Sequence, residues 1–422
     1  MAREDVDLYS ITSDPESLRQ NLLRLQQDFD AHNHDGVNSK AFQTLIAETL
    51  VGRAAIIGGY RLFEAVVGSD SADYKTVAAA LNAGKKRIFV RNGTYTAEPE
   101  WNITAANTII VGESLSGVQI TFGVSANSRG IYINAATCTL ENLQLTAYSA
   151  TAHDLFAFGS SASKPTLRNL VVSAIYGDIF DGSANSNLHG LFDTIQISLS
   201  AVTDTSVARG FFTITNSVVF NCFFQMNFTT SGYNPVDTCT NTRFIGCYFT
   251  MDDSRTNEFT INSSSTCFFD ACYFRVYQIK ANADFNSCFF ESNGQTPSGH
   301  LVQITTAFLK FNNNRIKGAN SINIFNITAA DVSVNNNLFD GGAAMVFEPS
   351  GASILGIMFC NNQWISSYTT AAIDLRLGSV GHVTDNANIA YNVIRNNSNS
   401  FTPTITNNSA NCNVTGNQLI KG

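Results

Sequence analysis

The chain has 422 residues and a formal net charge of −8. Charged residues make up 14%, against roughly 25% in an average soluble protein. The negative balance and the absence of any Lys/Arg cluster argue against a nucleic-acid-binding surface, and no stretch approaches the roughly 18 apolar residues of a membrane-spanning helix. Phe is abundant at 31 residues while Pro (7) and Met (5) are scarce, so apolar material for a core is ample and the surface must rely on Asn, Ser, Thr and Gly.

At the N-terminus, "MAREDVDLYS" lacks the basic-then-apolar layout of a signal peptide, so no secretion through a leader of its own is expected. Asp14 is placed to cap a helix with Pro15 at its first position. Leu18, Leu22, Leu25 and Phe29 follow at spacings of 4, 3 and 4. This is a short coiled-coil seam, too brief to stand alone but suited to a trimer neck. Residues 1–66 are read as an attachment and neck region, and residues 67–130 as a capping helix with the first coils of a repeat. Within 67–130, "DYKTVAAALNAGKKRIFVRNGTYT" predicts a short helix with Val77, Ala80 and Leu81 facing the core, then a strand and a tight corner at 92–95.

Residues 131–422 carry the repeat itself. "FIGCYF" at 244–249 returns as "DACYF" around Cys272, and the same phrase surrounds Cys222 and Cys288. Followed in both directions, the column runs Asn142, Asn169, Thr194, Cys222, Cys247, Cys272, Cys288, Asn314, Asn337, Asn362, Asn392 and Asn417, with gaps averaging 25 residues. A self-similar period of this length marks a repeat array. Its short alternating stretches, such as "LKF" and "VSV", have the two-residue period of strands. Three short strands with their corners fill 25 residues, so the fold class is all-β, a single-stranded parallel β-helix solenoid of about 12 coils. Asn in the column is expected to sit in the left-handed conformation at a corner and to bond to the Asn one coil away. Positions three before and two after the column, such as Phe244 and Phe249, should stack inside. The 16-residue gap between Cys272 and Cys288 predicts a coil stripped of its loops, or a fault in the alignment there. Nine cysteines without close C-x-x-C pairs, four of them in one repeat column, suggest reduced packing thiols rather than disulfides or zinc ligands.

The helix–strand–Gly-turn–strand opening, "DYKTVAAALNAGKKRIFVRNGTYT" followed by "NTIIVGESLSGVQI", resembles the start of pectate-lyase-like right-handed β-helix proteins, a group that includes many bacteriophage tailspikes. The helix followed by "HNHDGVNS" resembles a segment of phage tail-fibre and baseplate proteins. That resemblance implies a homotrimer, attachment to other virion proteins through the N-terminal region, synthesis in the host cytoplasm and residence in the virion. It also implies that His32 and His34 from three chains would meet on the trimer axis, offering six imidazoles to an octahedral metal such as iron. The alternative for this H-x-H pair is a hydrogen-bonded turn after the helix. The catalytic Asp, Gln and Arg motifs of pectin methylesterases have no counterpart.

Phe223, Tyr248, Tyr273 and Phe289, one after the column, should point outward on four consecutive coils. They would form a trimer interface or a platform for sugar rings. Arg275, Glu291, Lys317 and Asp340, three after the column, alternate in sign and read as a charge ladder. Glu291 and Asp340 would stand two coils apart, roughly 10 Å, beyond the about 5–5.5 Å or 6.5–9.5 Å that glycoside hydrolysis uses. Asp252, Asp253 and Glu258 are expected in a loop between coils, where a solvated loop competes with a catalytic one. The leading expectation is a virion structural protein, a tailspike-like appendage that recognises a host-surface glycan. Two alternatives remain open: a polysaccharide depolymerase with carboxylates in a groove, and a purely structural head or tail fibre. Neither nucleic acid nor membrane insertion is expected.

Overall fold

The computed structural model describes residues 56–57, 60–61, 63–69, 72–123, 129–147, 154–174, 178–199, 209–226, 235–251, 258–262, 267–294, 299–318, 323–347, 354–369, 374–377, 384–398, 401–407 and 412–421. The chain divides into two compact units, Met1–Val66 and Val67–Gly422. In the first, the described strands Ile56–Ile57 and Tyr60–Arg61 pair antiparallel. The neck helix, His32 and His34 lie outside the described residues.

The second unit is a parallel β-solenoid. Each coil has a lead-in strand, a corner, an exit strand and, after a loop, a third strand; Arg243–Ile245, Tyr248–Met251 and Glu258–Asn262 form one such set. The third strands of successive coils stack into a 13-stranded sheet. In three early coils the lead-in and exit strands merge into single nine-residue strands, Thr139–Ala147, Thr166–Ala174 and Leu191–Leu199.

Parallel in-register pairing puts like on like. Phe249, Phe274, Phe290 and Ile316 follow one another in one column, continued after Ile316 by Phe339, Trp364 and Ile394. These side chains are buried at 0–1% exposure. The Phe249 and Phe274 rings stack 4.9 Å apart, as do Phe274 and Phe290, while Phe244 and Phe269 stack at 4.5 Å. Burying each such ring stabilises the coil by about 1.5–3 kcal/mol, and this interior ladder fixes the register from coil to coil.

The corner differs from the expectation by one residue. Strand register aligns Leu143, Leu170 and Ile195, not Asn142, Asn169 and Thr194, with the positions that become Cys222 and Cys247. The left-handed column is therefore Asn142, Asn169, Thr194, Asn221, Gly246, Ala271, Ser287, Asn313, Asn336, Asn361, Tyr391 and Gly416, at φ of 49–64°. From first to last these twelve corners span eleven turns. The residue after each is buried, except for the half-buried Asn417 at the last corner, and from Cys222 onward it serves as a donor. Cys247 Sγ lies 3.4 Å from the Val219 carbonyl, and Asn362 Nδ2 donates at 2.9 Å to the Val334 carbonyl, the equivalent acceptor on the preceding coil. Cys and Asn thus interchange because both direct a donor at the same carbonyl. Asn adds an acceptor, so Asn337, Asn362, Asn392 and Asn417 form an amide ladder in which each Oδ1 accepts from the preceding Asn backbone N–H at 2.8–3.0 Å.

The 16-residue coil is real: Phe268 pairs with Asp284, and Tyr273 with Phe289. Its loops are gone, leaving only Tyr277 between strands Tyr273–Val276 and Gln278–Ala281. The described cysteines form no disulfide, and all but Cys360 and Cys412 are buried. Burial pushes the Cys222, Cys239 and Cys272 thiols up, away from the reactive thiolate.

The helix Val77–Asn82 packs on strand Trp101–Ile103. It buries Val77, Ala78 and Ala80, while Leu81 is only half-buried and Ala78 takes the core position expected of it. Thr76 Oγ1 caps the helix by accepting from the Ala79 N–H at 3.1 Å. The buried Glu98 carboxyl accepts from the Ala78 N–H and from Trp101 Nε1, both at 3.0 Å, and ties the helix to the first coils.

Candidate functional site

Two outward rows run along the exit strands. The first is Phe223, Tyr248, Tyr273, Phe289 and Arg315; the second is Gln225, Thr250, Arg275, Glu291, Lys317 and Asp340. The alternation that sends Phe249, Phe274 and Phe290 inward necessarily sends these neighbours out. All four aromatic rings of the first row are half-buried. Phe223 stacks on Tyr248 at 5.1 Å, Tyr248 on Tyr273 at 4.5 Å, and Phe289 sits tilted beside Tyr273 at 5.2 Å. The Arg315 guanidinium closes the row 5.4 Å from the Phe289 ring centre. Ring faces are thus largely spent on one another, and a ligand meets edges and hydroxyls rather than an open aromatic plane.

The two rows meet at Glu291. The Tyr273 hydroxyl donates to Glu291 Oε2 at 2.5 Å, and Lys317 Nζ donates to Oε1 at 3.1 Å. The Tyr273 hydrogen bond, with Lys317 and Arg275 nearby, holds the Glu291 carboxyl below its usual range. Burial and the hydrogen bond to Glu291 push the Tyr273 phenol up. Glu291 is therefore an ionised anchor and not a proton donor near neutrality. Asp340, two coils along, is engaged by Arg315 at 3.4 Å, with Lys317 between it and Glu291 in the row. A charge ladder accounts for both carboxylates.

Asp252 and Asp253 lie outside the described residues. Glu258 is not in a loop: it opens the third strand Glu258–Asn262, because Phe259 and Ile261 alternate inward from it.

A second cluster lies on the third strands and escapes the corner-centred reading of the sequence. The register Phe156, Phe180, Phe211, Val236 carries Asp181, Phe212 and Asp237 on the next position, and places Asp154, Asp178 and Arg209 just upstream on three successive coils. Arg209 grips Asp178 through Nε and Nη2, both at 2.9 Å, and reaches Asp237 through Nη1 at 3.2 Å. Its guanidinium carbon stands 3.3 Å from the Phe212 ring centre. Burial, together with the Asp181 and Asp178 charges, pushes the Asp154 carboxyl up to about 7. Asp237 is committed to Arg209. The sequence signal is "HDLF" and "GDIF", in which an Asp stands two residues before an inward Phe one coil apart. Among the described residues, no group of three or more His, Cys, Asp or Glu side chains is placed to hold a metal ion, and no helix is long and apolar enough to cross a membrane.

No family model and no curated protein matches the chain. Among solved structures it is similar to the catalytic domain of a GH87 alpha-1,3-glucanase in complex with tetrasaccharides, at 12% identity and a TM-score of 0.44, covering 83% of this chain and 68% of that one. It is also similar to the A-module of a mannuronan C-5 epimerase from Azotobacter vinelandii, at 13% identity and a TM-score of 0.34, covering 82% and 92%. A Geobacillus virus E2 protein, ORF18, aligns at 16% identity and a TM-score of 0.25 over 79% and 65%. At these identities and scores the similarities bear on no residue or activity of this chain.

Proposed function

We propose that the chain is a virion appendage that engages a polysaccharide of the host surface along the outward rows of its exit strands. The observation that carries the glycan half is the Tyr273–Glu291–Lys317 string, which links three successive coils on an exposed, rigid face. A polymer laid along the axis meets hydroxyl, carboxylate and ammonium groups at intervals of about 4.8 Å, held there by the buried aromatic ladder behind them. The virion half rests on the resemblance of the helix-to-"HNHDGVNS" segment to phage tail proteins, and the pectate-lyase-like subtype on the opening helix and strands. On this reading three copies assemble through the N-terminal neck, His32 and His34 face the trimer axis, and avidity multiplies weak single-chain contacts.

Cleavage of the glycan is the second reading, favoured by Asp154, a carboxyl pushed up to about 7 by burial and its acidic neighbours, so that it keeps a proton on about half of the molecules at neutrality. The commitment of both Asp178 and Asp237 to Arg209 puts binding first. The test is incubation of the purified full chain, its oligomeric state fixed by light scattering, with host surface polysaccharide. Binding without new reducing ends or unsaturated products supports the adhesin. Product that disappears in Asp154→Asn selects the depolymerase. Neither binding nor product across glycans of a proven host discards both.

A further inference from the structure

The outward side of the lead-in strands, across the corner from the exit rows, changes character along the solenoid. Early on it pairs its own charges, with Arg168 on Glu141 at 2.6 Å. Over the next four coils it carries Leu191, Val218, Phe220, Ile245 and Phe268, set side by side by the strand register. One coil further, Asp284 and Asn286 restore a polar surface. Leu191, Phe220 and Phe268 are 39%, 40% and 46% exposed, and Val218 and Ile245 are half-buried. The alternation that sends Val219, Phe244 and Phe269 inward does not require apolar residues here, and polar ones serve on the other coils. Together the five form a contiguous apolar patch on the order of 300 Å², a size that on a soluble chain marks an interaction site.

Three charges are set into this patch: Arg243, Asp193 and Asp270. Among the described residues none of them forms an ion pair. Arg243 is exposed between Val218 and Phe268 in its column. Asp193 accepts from Thr194 Oγ1 at 2.8 Å, and Asp270 from Asn286 Nδ2 at 2.9 Å, both neutral donors. We propose that this lead-in face is a contact between copies of the chain, with the five apolar residues at its dry centre and Arg243 of one copy paired to the Asp193 and Asp270 carboxylates of the next. A second copy is the partner that this chemistry selects, because one face carries both the cation and the carboxylates that answer it. A sugar polymer would leave the apolar centre wet, and a nucleic acid would meet two carboxylates. A stable contact buries about 800 Å² per partner, so the polar residues of the flanking coils form its rim. Glycan engagement on the exit rows is not needed for this contact, since those rows lie past the corner.

The experiment is sedimentation equilibrium of the full chain over a range of concentrations, with circular dichroism to confirm the solenoid in each variant. Arg243→Asp alone, or Asp193→Lys with Asp270→Lys, is expected to weaken self-association at least tenfold. An equimolar mixture of these two proteins should regain it, because the reversed charges again meet across the contact. Phe220→Ser with Phe268→Ser should weaken it without such rescue. A photo-activated phenylalanine analogue in place of Ile245 maps the contact directly, with cross-links expected on residues 191–270 of a second copy. If association through the neck keeps the variants oligomeric, the yield of this cross-link is the quantity that falls and recovers. A chain that stays monomeric at every concentration overturns the proposal. So do cross-links that fall only outside the lead-in strands, or a mixture that associates no better than either variant alone.

Discussion

Arg209 holds Asp178 with two parallel N–H bonds of 2.9 Å, while Asp178 also accepts the Arg209 backbone N–H at 3.0 Å. The carboxylate is 5% exposed as a residue, and the guanidinium is closed on one side by Phe212. Arg209→Met is expected to destabilise the solenoid by about 3–5 kcal/mol, because it strands a buried charge and does not merely remove a bond. The additional change Asp178→Asn should return much of that loss. Urea unfolding of the two variants and the parent measures both effects; a loss under about 1 kcal/mol would place the pair with ordinary surface salt bridges.

Asp154 sets a pH dependence of known sign. Its folded-state pKa of about 7 lies above its ordinary 3.8, so between these values the folded chain binds more protons than the unfolded one. Stability from this group is greatest below pH 4 and falls as pH rises to about 7, at no more than about 1.4 kcal/mol per pH unit. Unfolding midpoints at pH 5 and pH 8 should therefore differ more in the parent than in Asp154→Asn. An identical slope in the two proteins would remove Asp154 from the account.

Much of this architecture was legible in the sequence, and the limits are physical. The 25-residue period, the inward Phe columns and the 16-residue coil follow from residues that pack, and packing forces periodicity. The corner was misread by one residue at Leu143, Leu170 and Ile195, because Asn serves two purposes in this chain. In Asn142 and Asn169 it supplies the left-handed backbone; in Asn314 onward it is the buried residue after that backbone. Residue type alone does not separate the two uses, whereas strand register does. The Asp154–Asp181–Arg209 cluster was missed because its members are united only by the third-strand register, across loops whose lengths vary from coil to coil. Tyr273 and Glu291 belong to different outward rows, and the register of neighbouring exit strands, Tyr273 beside Phe289 and Arg275 beside Glu291, brings one to the other.

The amide ladder makes a graded prediction. In Asn362→Ala the Asn337 N–H loses its acceptor at 2.9 Å and the Val334 carbonyl loses its donor at 2.9 Å. An orphaned buried group costs about 1–3 kcal/mol, so a loss of about 2–4 kcal/mol is expected. Asn362→Cys should cost less, since Cys247 and Cys272 meet the equivalent carbonyl at 3.4 and 3.3 Å in their own coils. Equal losses for Ala and Cys would show that the thiol contact contributes nothing.

At Ala271 the chain adopts φ of 51°, in the left-handed region where its neighbours in the column are Gly246 and Ser287. A Cβ there conflicts with the following carbonyl and costs about 1–2 kcal/mol, a penalty that glycine escapes and asparagine reduces. Ala271→Gly is therefore expected to stabilise the solenoid despite the added freedom of the unfolded chain, by up to about 1 kcal/mol. Ala271→Asn should do the same, since asparagine tolerates this conformation better than alanine, and Asn221 and Asn313 occupy it at their corners. Ala271→Val, branched at Cβ, should destabilise. Thermal unfolding of the three variants orders them Gly and Asn above the parent and Val below it. If Val is tolerated as well as Gly, the corner is not held in the left-handed conformation, and the register that places Cys272 inside must be redrawn.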